Sequence, residues 1–198
     1  MIMSETQGPQ TIWPRTVWPR TIWSDARQVN TLNGWPEMPD DELAPAAFFR
    51  ALRSAGRDHE AVLFIAQALP RYEAVAWAAE VIDGIPEAQP PALQRTAAAV
   101  RSWLADATDT NRRAVGDAAG PTDPPAAATL CALAAFHAGG SIAPPDQPVA
   151  PPPRGLTGRF AGAAVIAASS LAADPAQQLQ LALDRGDTIA RTTMEDDR

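Results

Sequence analysis

Lysine is absent from this chain of 198 residues, and all 16 basic residues are arginine. Without lysine the chain has neither a Schiff-base nucleophile nor the lysine of a phosphate-binding P-loop. Cysteine occurs once, at Cys131, so no disulfide can form within the chain and we expect a reducing compartment. One cysteine and two histidines cannot build a structural zinc site. The sequence therefore predicts no metal, no cofactor and no catalytic residue.

Long apolar runs and a surplus of positive charge are also missing. The uncharged run 160–173 is too short to cross a bilayer of about 30 Å. The N-terminus has no apolar segment of the kind that directs export, so we expect a cytoplasmic protein. The net charge is -7, which leaves no basic surface for nucleic acid or anionic lipid. We therefore expect neither nucleic-acid binding nor membrane insertion.

Helical patterns fill the middle of the chain, and no alternation typical of β-strands competes with them. Between residues 44 and 191, apolar residues recur at helical spacing and are punctuated by proline and glycine. We interpret this region as one all-α domain of seven to eight helices, arranged as an antiparallel bundle or a short stack of helical hairpins. Predicted helix starts lie at Pro45, Asp58, Pro70, Pro91, Asp109, Asp123, Leu156 and Asp174. Asp58, Asp123 and Asp174 are predicted to cap their helices, and the helix from Asp58 is expected to be central because its apolar residues lie almost all round it.

Two further segments of the chain have no helical pattern. Six prolines lie between residues 144 and 153, so the connector 144–154 is predicted to be a stiff, polyproline-like strap on the surface. Residues 192–198 form a charged C-terminal tail, which we expect to fray.

The first 43 residues show no helical period, and we interpret them as an extended N-terminal tail. Their main feature is a repeated motif, in which Thr11-Ile12-Trp13-Pro14-Arg15 is followed by Thr16-Val17-Trp18-Pro19-Arg20 and then by Thr21-Ile22-Trp23. Half of the six tryptophans of the chain lie in this stretch. Tryptophan is costly to leave in water and is enriched where proteins hold partners, so the repeat indicates binding.

The prolines and arginines of the repeat also favour a role in binding. Because proline disfavours helix at the residue before it, Trp13 and Trp18 are held extended, which lowers the ordering cost of binding. Arginine can stack on an indole or pair with a carboxylate of a partner. We therefore predict a contact segment for a protein partner, formed by Trp13, Pro14, Arg15, Trp18, Pro19, Arg20 and Trp23. The function expected from the residues is that of a non-enzymatic adaptor.

Other interpretations of the repeat stay open at this point. The tail can pack on the chain's own helices, fold only on a partner, or have no role. A sharper hypothesis is that three repeats meet three equivalent sites and gain by avidity. A weaker one makes Thr11, Thr16 and Thr21 phosphorylation sites. For the helical body, the alternatives are a structural or immunity-type protein that binds through its acidic surface, and an enzyme with an unrecognised site near His137.

Three segments of the body, Ala68–Ala78, Leu133–Pro145 and Gly162–Pro175, resemble an uncharacterised family of Ala-rich helical bacterial proteins of similar length. The resemblance covers about residues 45–191. It implies no known activity, so no catalytic residue carries over, and it implies an association with type VI secretion. The repeat lies outside the shared part of the chain.

Overall fold

The computed structural model describes residues 18–36, 39, 42–88, 90–120 and 125–192. Within these ranges the regular structure is helical, with nine α-helices, two short 3₁₀ turns and no β-strand, so the all-α prediction is confirmed. The helices are α1 (Ala26–Asn33), α2 (Pro45–Ser54), α3 (Asp58–Ala68), α4 (Arg71–Asp83), α5 (Gln94–Ala105), α6 (Asp109–Ala118), α7 (Ala127–Phe136), α8 (Leu156–Ser169) and α9 (Pro175–Arg191). None of them combines the length and apolarity that a bilayer-spanning helix needs.

Helix α8 is the element on which most of the other helices assemble, because it packs on α3, α4, α7 and α9. Its inward side consists largely of small residues, and Ala161 and Ala164 are fully buried. A Cβ atom added to Gly162 would lie only 3.0 Å from Leu63 Cδ2 on α3. The Ala-rich sequence thus brings helices close together, as expected of a core with few large side chains.

The large buried side chains come mainly from α2, α3, α4 and α9. Phe49, Phe64, Ile65, Trp77 and Leu183 are all at most 1% exposed. The indole N–H of Trp77 donates to the Ala182 carbonyl at 2.9 Å, so the largest core side chain also satisfies its polar atom. Buried residues occur almost all round α3, which confirms the expectation that this helix is central.

Caps explain two helix starts, one as predicted and one not. Asp174 precedes α9 and its side chain accepts the backbone N–H of Gln177 at 3.0 Å, which confirms the predicted cap. Asp58 was predicted to cap α3 but is the first residue inside that helix. Its carboxylate instead accepts the side-chain amide of Gln180 on α9 at 2.8 Å. Contact with another helix therefore replaces the local cap. The predicted start at Asp123 lies outside the described residues.

Helix α1 lies inside the region predicted to be an extended tail, so the prediction of an extended chain is wrong for Ala26–Asn33. Asp25 begins the helix by accepting the N–H of Arg27 at 2.7 Å, and Gln28 accepts the N–H of Asp25 at 3.2 Å. Gly34 ends it in the left-handed conformation, with φ +71. Val29 is fully buried, and α1 packs on α3. With only eight residues, the helix is too short to be stable alone and depends on this packing.

The connector 144–154 also departs from its prediction, because it bends back and is not a straight strap. The N–H of Ile142 donates to the Ala150 carbonyl at 2.8 Å, and the N–H of Gln147 donates to the Pro144 carbonyl at 3.0 Å. Ser141 Oγ accepts the N–H of Ala150 at 3.1 Å and closes the loop further. Paired prolines favour such a turn, since proline presets the first central position.

The close contact of α8 with α3 predicts that Gly158→Ala destabilises the protein. A Cβ at this position would lie 2.5 Å from Gln67 Oε1 and 2.9 Å from the Ala66 carbonyl oxygen. We expect overpacking to outweigh the better helix propensity of alanine, with a net loss of about 1 to 2 kcal/mol in the free energy of unfolding. The matched control is Gly139→Ala, where no atom lies within 4 Å of the added Cβ. Urea denaturation of both variants measures the difference, and equal midpoints would contradict the proposed packing.

Candidate protein-binding site

The chain between Trp18 and Ser24 crosses the surface of the helical body before α1 begins. It is held at three successive positions, which are Trp18, Arg20 and Trp23. Each of them donates a side-chain hydrogen bond to a residue of the body that is distant in sequence. The segment therefore lies on the protein in a fixed path, although it has no regular secondary structure.

Trp18 fills a slot between α2, α3 and α9 and is only 3% exposed. Its ring centroid lies 5.1 Å from that of Phe49 and 6.5 Å from that of Phe64. The indole N–H donates to Asp187 Oδ1 at 2.7 Å. We call the site formed by Phe49, Phe64 and Asp187 the Trp18 slot. It covers the apolar faces of the indole and satisfies its only polar atom.

The acceptor in the Trp18 slot is a charged group that a neighbouring cation holds in place. Arg191 Nε donates to Asp187 Oδ2 at 2.7 Å, one helical turn later on α9. The other carboxylate oxygen of Asp187 thus stays directed at the indole. Hydrogen bonds to an ionised acceptor are shorter and stronger than neutral ones, which agrees with the short distance to Trp18.

Arg20 docks on the C-terminal end of α9 and on the start of α4. Its Nε donates to the Thr192 carbonyl at 3.2 Å, and its backbone N–H donates to the Ala190 carbonyl at 3.3 Å. The last carbonyls of a helix have no partner within the helix, so these donors satisfy them. Nη1 of Arg20 also pairs with Glu73 Oε1 at 3.1 Å. The Arg20 guanidinium therefore binds residues of the same chain.

These contacts correct one part of the sequence prediction. Trp18 was predicted to contact a partner, but the rings of Phe49 and Phe64 enclose it. Pro19 does exclude a helix at Trp18, yet an extended residue can be buried by helices that pack over it. The alternative of packing on the chain's own helices describes the segment from Trp18 onwards. Trp13, Pro14 and Arg15 lie outside the described residues.

Beyond Arg20, the segment borders an open groove of about 180 Å³ between α3, α4 and the start of α8. Trp23 forms one wall, half-buried, with its indole N–H donating to the Gln67 carbonyl at 3.0 Å. Ile22 stands beside it and is 81% exposed. Arg71 and Arg154 also line the groove, and both are exposed. We call this site, defined by Ile22, Trp23, Arg71 and Arg154, the Trp23 groove.

The floor of the Trp23 groove is rigid, whereas part of its rim is available to a ligand. Gln67 Nε2 donates to the Gly155 carbonyl at 2.7 Å and so links the end of α3 to the start of α8. Arg71 Nη1 donates to the Ala138 carbonyl at 3.2 Å. The guanidinium of Arg154 has no hydrogen bond or ion pair with any described residue. The groove therefore combines apolar surface with positive charge in an acidic protein.

Cys131 is buried in the body, and the half-buried His137 packs against aromatic rings. The His137 ring lies between those of Phe136 and Phe160, at centroid distances of 5.1 Å and 5.4 Å, and its Nδ1 lies 2.8 Å from the Leu133 carbonyl oxygen. Cys131 is 1% exposed. Burial raises the pKa of its thiol to about 12, and the negative charge of Asp83 adds to the shift. Among the described residues, no group of His, Cys, Asp and Glu is arranged to hold a metal ion.

Several residues of these sites were not anticipated from the sequence. Asp187 and Glu73 lie 169 and 53 residues from the aromatic and basic groups that they bind. Arg71 and Arg154, which are 83 residues apart in the chain (154 − 71), line the same groove because the starts of α4 and α8 both border it. No local pattern marks such pairs. Ile22 was visible in the third copy of the repeat, but its exposure depends on the path of the segment.

Together these features define an all-helical protein that holds its own Trp-Pro-Arg segment against its body. The chain belongs to DUF6931, a family of unknown function whose model matches residues 48–190. The expected resemblance to an uncharacterised family, over about residues 45–191, is thereby confirmed. Trp18, Trp23 and α1 precede the matched region. No curated protein and no solved structure matches the chain.

The Trp18 slot predicts that Asp187→Ala is strongly destabilising. The change leaves a buried indole N–H without its acceptor, which costs about 1 to 3 kcal/mol in the free energy of unfolding. The matched control is Asp184→Ala on the same helix, where the carboxylate is 62% exposed and pairs with Arg53 at 2.7 Å. We expect that surface pair to contribute about 0 to 1 kcal/mol. Chemical denaturation of both variants gives the comparison, and an equal loss in the two would argue against the slot.

Burial of Cys131 predicts an unreactive thiol in the folded protein. Only the thiolate is nucleophilic, and a pKa of about 12 leaves almost none of it at pH 8. We expect Ellman's reagent to detect no thiol in the native protein and one thiol per chain after denaturation. Rapid reaction of the native protein would show that α7 opens readily or that the residue is accessible.

Proposed function

We propose that the protein is a non-enzymatic adaptor that binds a protein partner at the Trp23 groove. The observation that carries the proposal is the exposure of Ile22 beside the half-buried Trp23. Large apolar side chains exposed next to an open groove are typical of binding sites. In this proposal the Trp18 slot anchors the segment, and the groove that follows it makes the contact.

The rigidity of the segment supports the proposal. Ile22 lies between Arg20 and Trp23, and both neighbours are hydrogen-bonded to the body. A residue whose neighbours in the chain are already held in place loses less backbone freedom when a partner covers it. The same residue on a mobile tail would lose that conformational freedom on binding, which would weaken the affinity for the partner.

The charge at the rim defines the chemistry of the partner. Arg71 and Arg154 flank an apolar groove, so the fitting segment presents an apolar side chain with a carboxylate beside it. The groove of about 180 Å³ has room for one such side chain, since a cavity of about 150 Å³ holds a benzene ring. Arginine can hold the flanking carboxylate through paired hydrogen bonds.

The first copy of the repeat completes the proposed contact surface. Trp13, Pro14 and Arg15 precede the anchored copy in the chain, and in this proposal they extend the interface along the partner. The cytoplasm is the proposed site of action. From the sequence resemblance, type VI secretion components are the first candidate partners to test.

The proposal predicts that Ile22→Glu weakens partner binding. A carboxylate in place of the exposed isoleucine removes apolar contact and repels the acidic partner segment, so we expect the dissociation constant to rise at least about tenfold. The matched control is Val149→Glu, because Val149 is equally exposed at 81% but lies in the connector. Affinity capture followed by mass spectrometry identifies proteins retained by wild type and by Val149→Glu but lost from Ile22→Glu.

Direct titration with the purified candidate then measures the dissociation constant for all three proteins. Equal affinity of wild type and Ile22→Glu would refute the Trp23 groove as the contact site. In that case, binding through the acidic surface of the helical body becomes the better explanation.

A further inference from the structure

The Trp18 slot has two matching occupants within the same chain. The residues that dock on the body belong to the second repeat copy, Trp18–Thr21. The first copy, Trp13–Thr16, has the same four residues in the same order. The copies differ only in the residue before the tryptophan, which is Ile12 in the first and Val17 in the second.

The body recognises features that both copies share. Asp187 accepts an indole N–H, and Glu73 pairs with a guanidinium two residues later. The Ala190 carbonyl accepts the backbone N–H of that same arginine, which any residue except proline supplies. None of these contacts distinguishes the first copy from the second.

We propose that the first copy also docks in the Trp18 slot, in exchange with the second, so that the segment has two registers five residues apart. In the shifted register, Trp13 and Arg15 occupy the positions of Trp18 and Arg20, and residues 16–25 connect the docked arginine to α1.

The cost of the shift is small because it only lengthens a loop. Residues 21–25 connect the docked arginine to α1 in the present register, and residues 16–25 do so in the shifted one. Doubling the length of a flexible loop changes an equilibrium by about threefold. The present register is thus the major one, and the shifted register is populated alongside it.

Trypsin reports which copy is docked, since threonine follows both Arg15 and Arg20 and both bonds can be cut. Docking buries the arginine side chain, so the bond after the docked copy resists cleavage. In Trp18→Phe the second copy loses its indole donor, which shifts the equilibrium towards the first copy by about tenfold. We expect protection to move from the Arg20 bond to the Arg15 bond. Trp13→Phe is the matched control and keeps the Arg20 bond protected.

Thermal melting gives a second readout that needs no protease and no partner. In Trp18→Ala the first copy refills the slot, so the further change Trp13→Ala in the same chain lowers the melting temperature again. Equal melting temperatures of the single and double variants would overturn the proposal, as would cleavage at both bonds in Trp18→Phe. An unfolded Trp18→Ala protein would overturn it too, because an available first copy would have restored the slot. These outcomes are independent of whether a partner binds the Trp23 groove.

Discussion

The hydrogen bond from the Trp18 indole to Asp187 joins two residues that are 169 positions apart in the chain. It closes a slot whose other walls come from α2 and α3, so a single side chain connects the N-terminal segment to three helices. The Arg191 guanidinium pairs with the other carboxylate oxygen and orients the acceptor towards the indole. The path of the segment, the cap on the end of α9 and the position of the Trp23 groove all follow from this anchor.

The helical body beneath the anchor is built on a different principle. Its core depends on close approach of helices and has few large side chains outside α2, α3, α4 and α9. Alanine and glycine on α8 permit this approach, and Gln67 crosses from α3 to the Gly155 carbonyl at the start of α8. Because tightly packed protein interiors have low compressibility, we expect the floor of the groove to be rigid. The second copy of the repeat anchors the segment to the body, whereas Ile22 in the third copy faces solvent.

Much of the helical body could be predicted from local chemistry. The pattern of proline and glycine indicated α2 and α4 to within a residue or two, and Asp174 with Pro175 marked α9 because caps are local. Prediction failed where contacts between residues that are distant in the sequence determine the local structure. Asp58 turns to Gln180 instead of capping its own helix. Helix α1 is too short to be stable alone and is stabilised by burial against α3, which is distant in the sequence.

The sequence alone determined that the protein is all-helical, that the tryptophan before Pro19 is not in a helix, and that the repeat is the unusual feature of the chain. Those properties depend on neighbouring residues, through backbone sterics and hydrophobic spacing. Only the tertiary structure decided which faces of the repeat are covered. Burial depends on the distant helices that arrive over a side chain, and here they enclose Trp18 while leaving Ile22 in solvent.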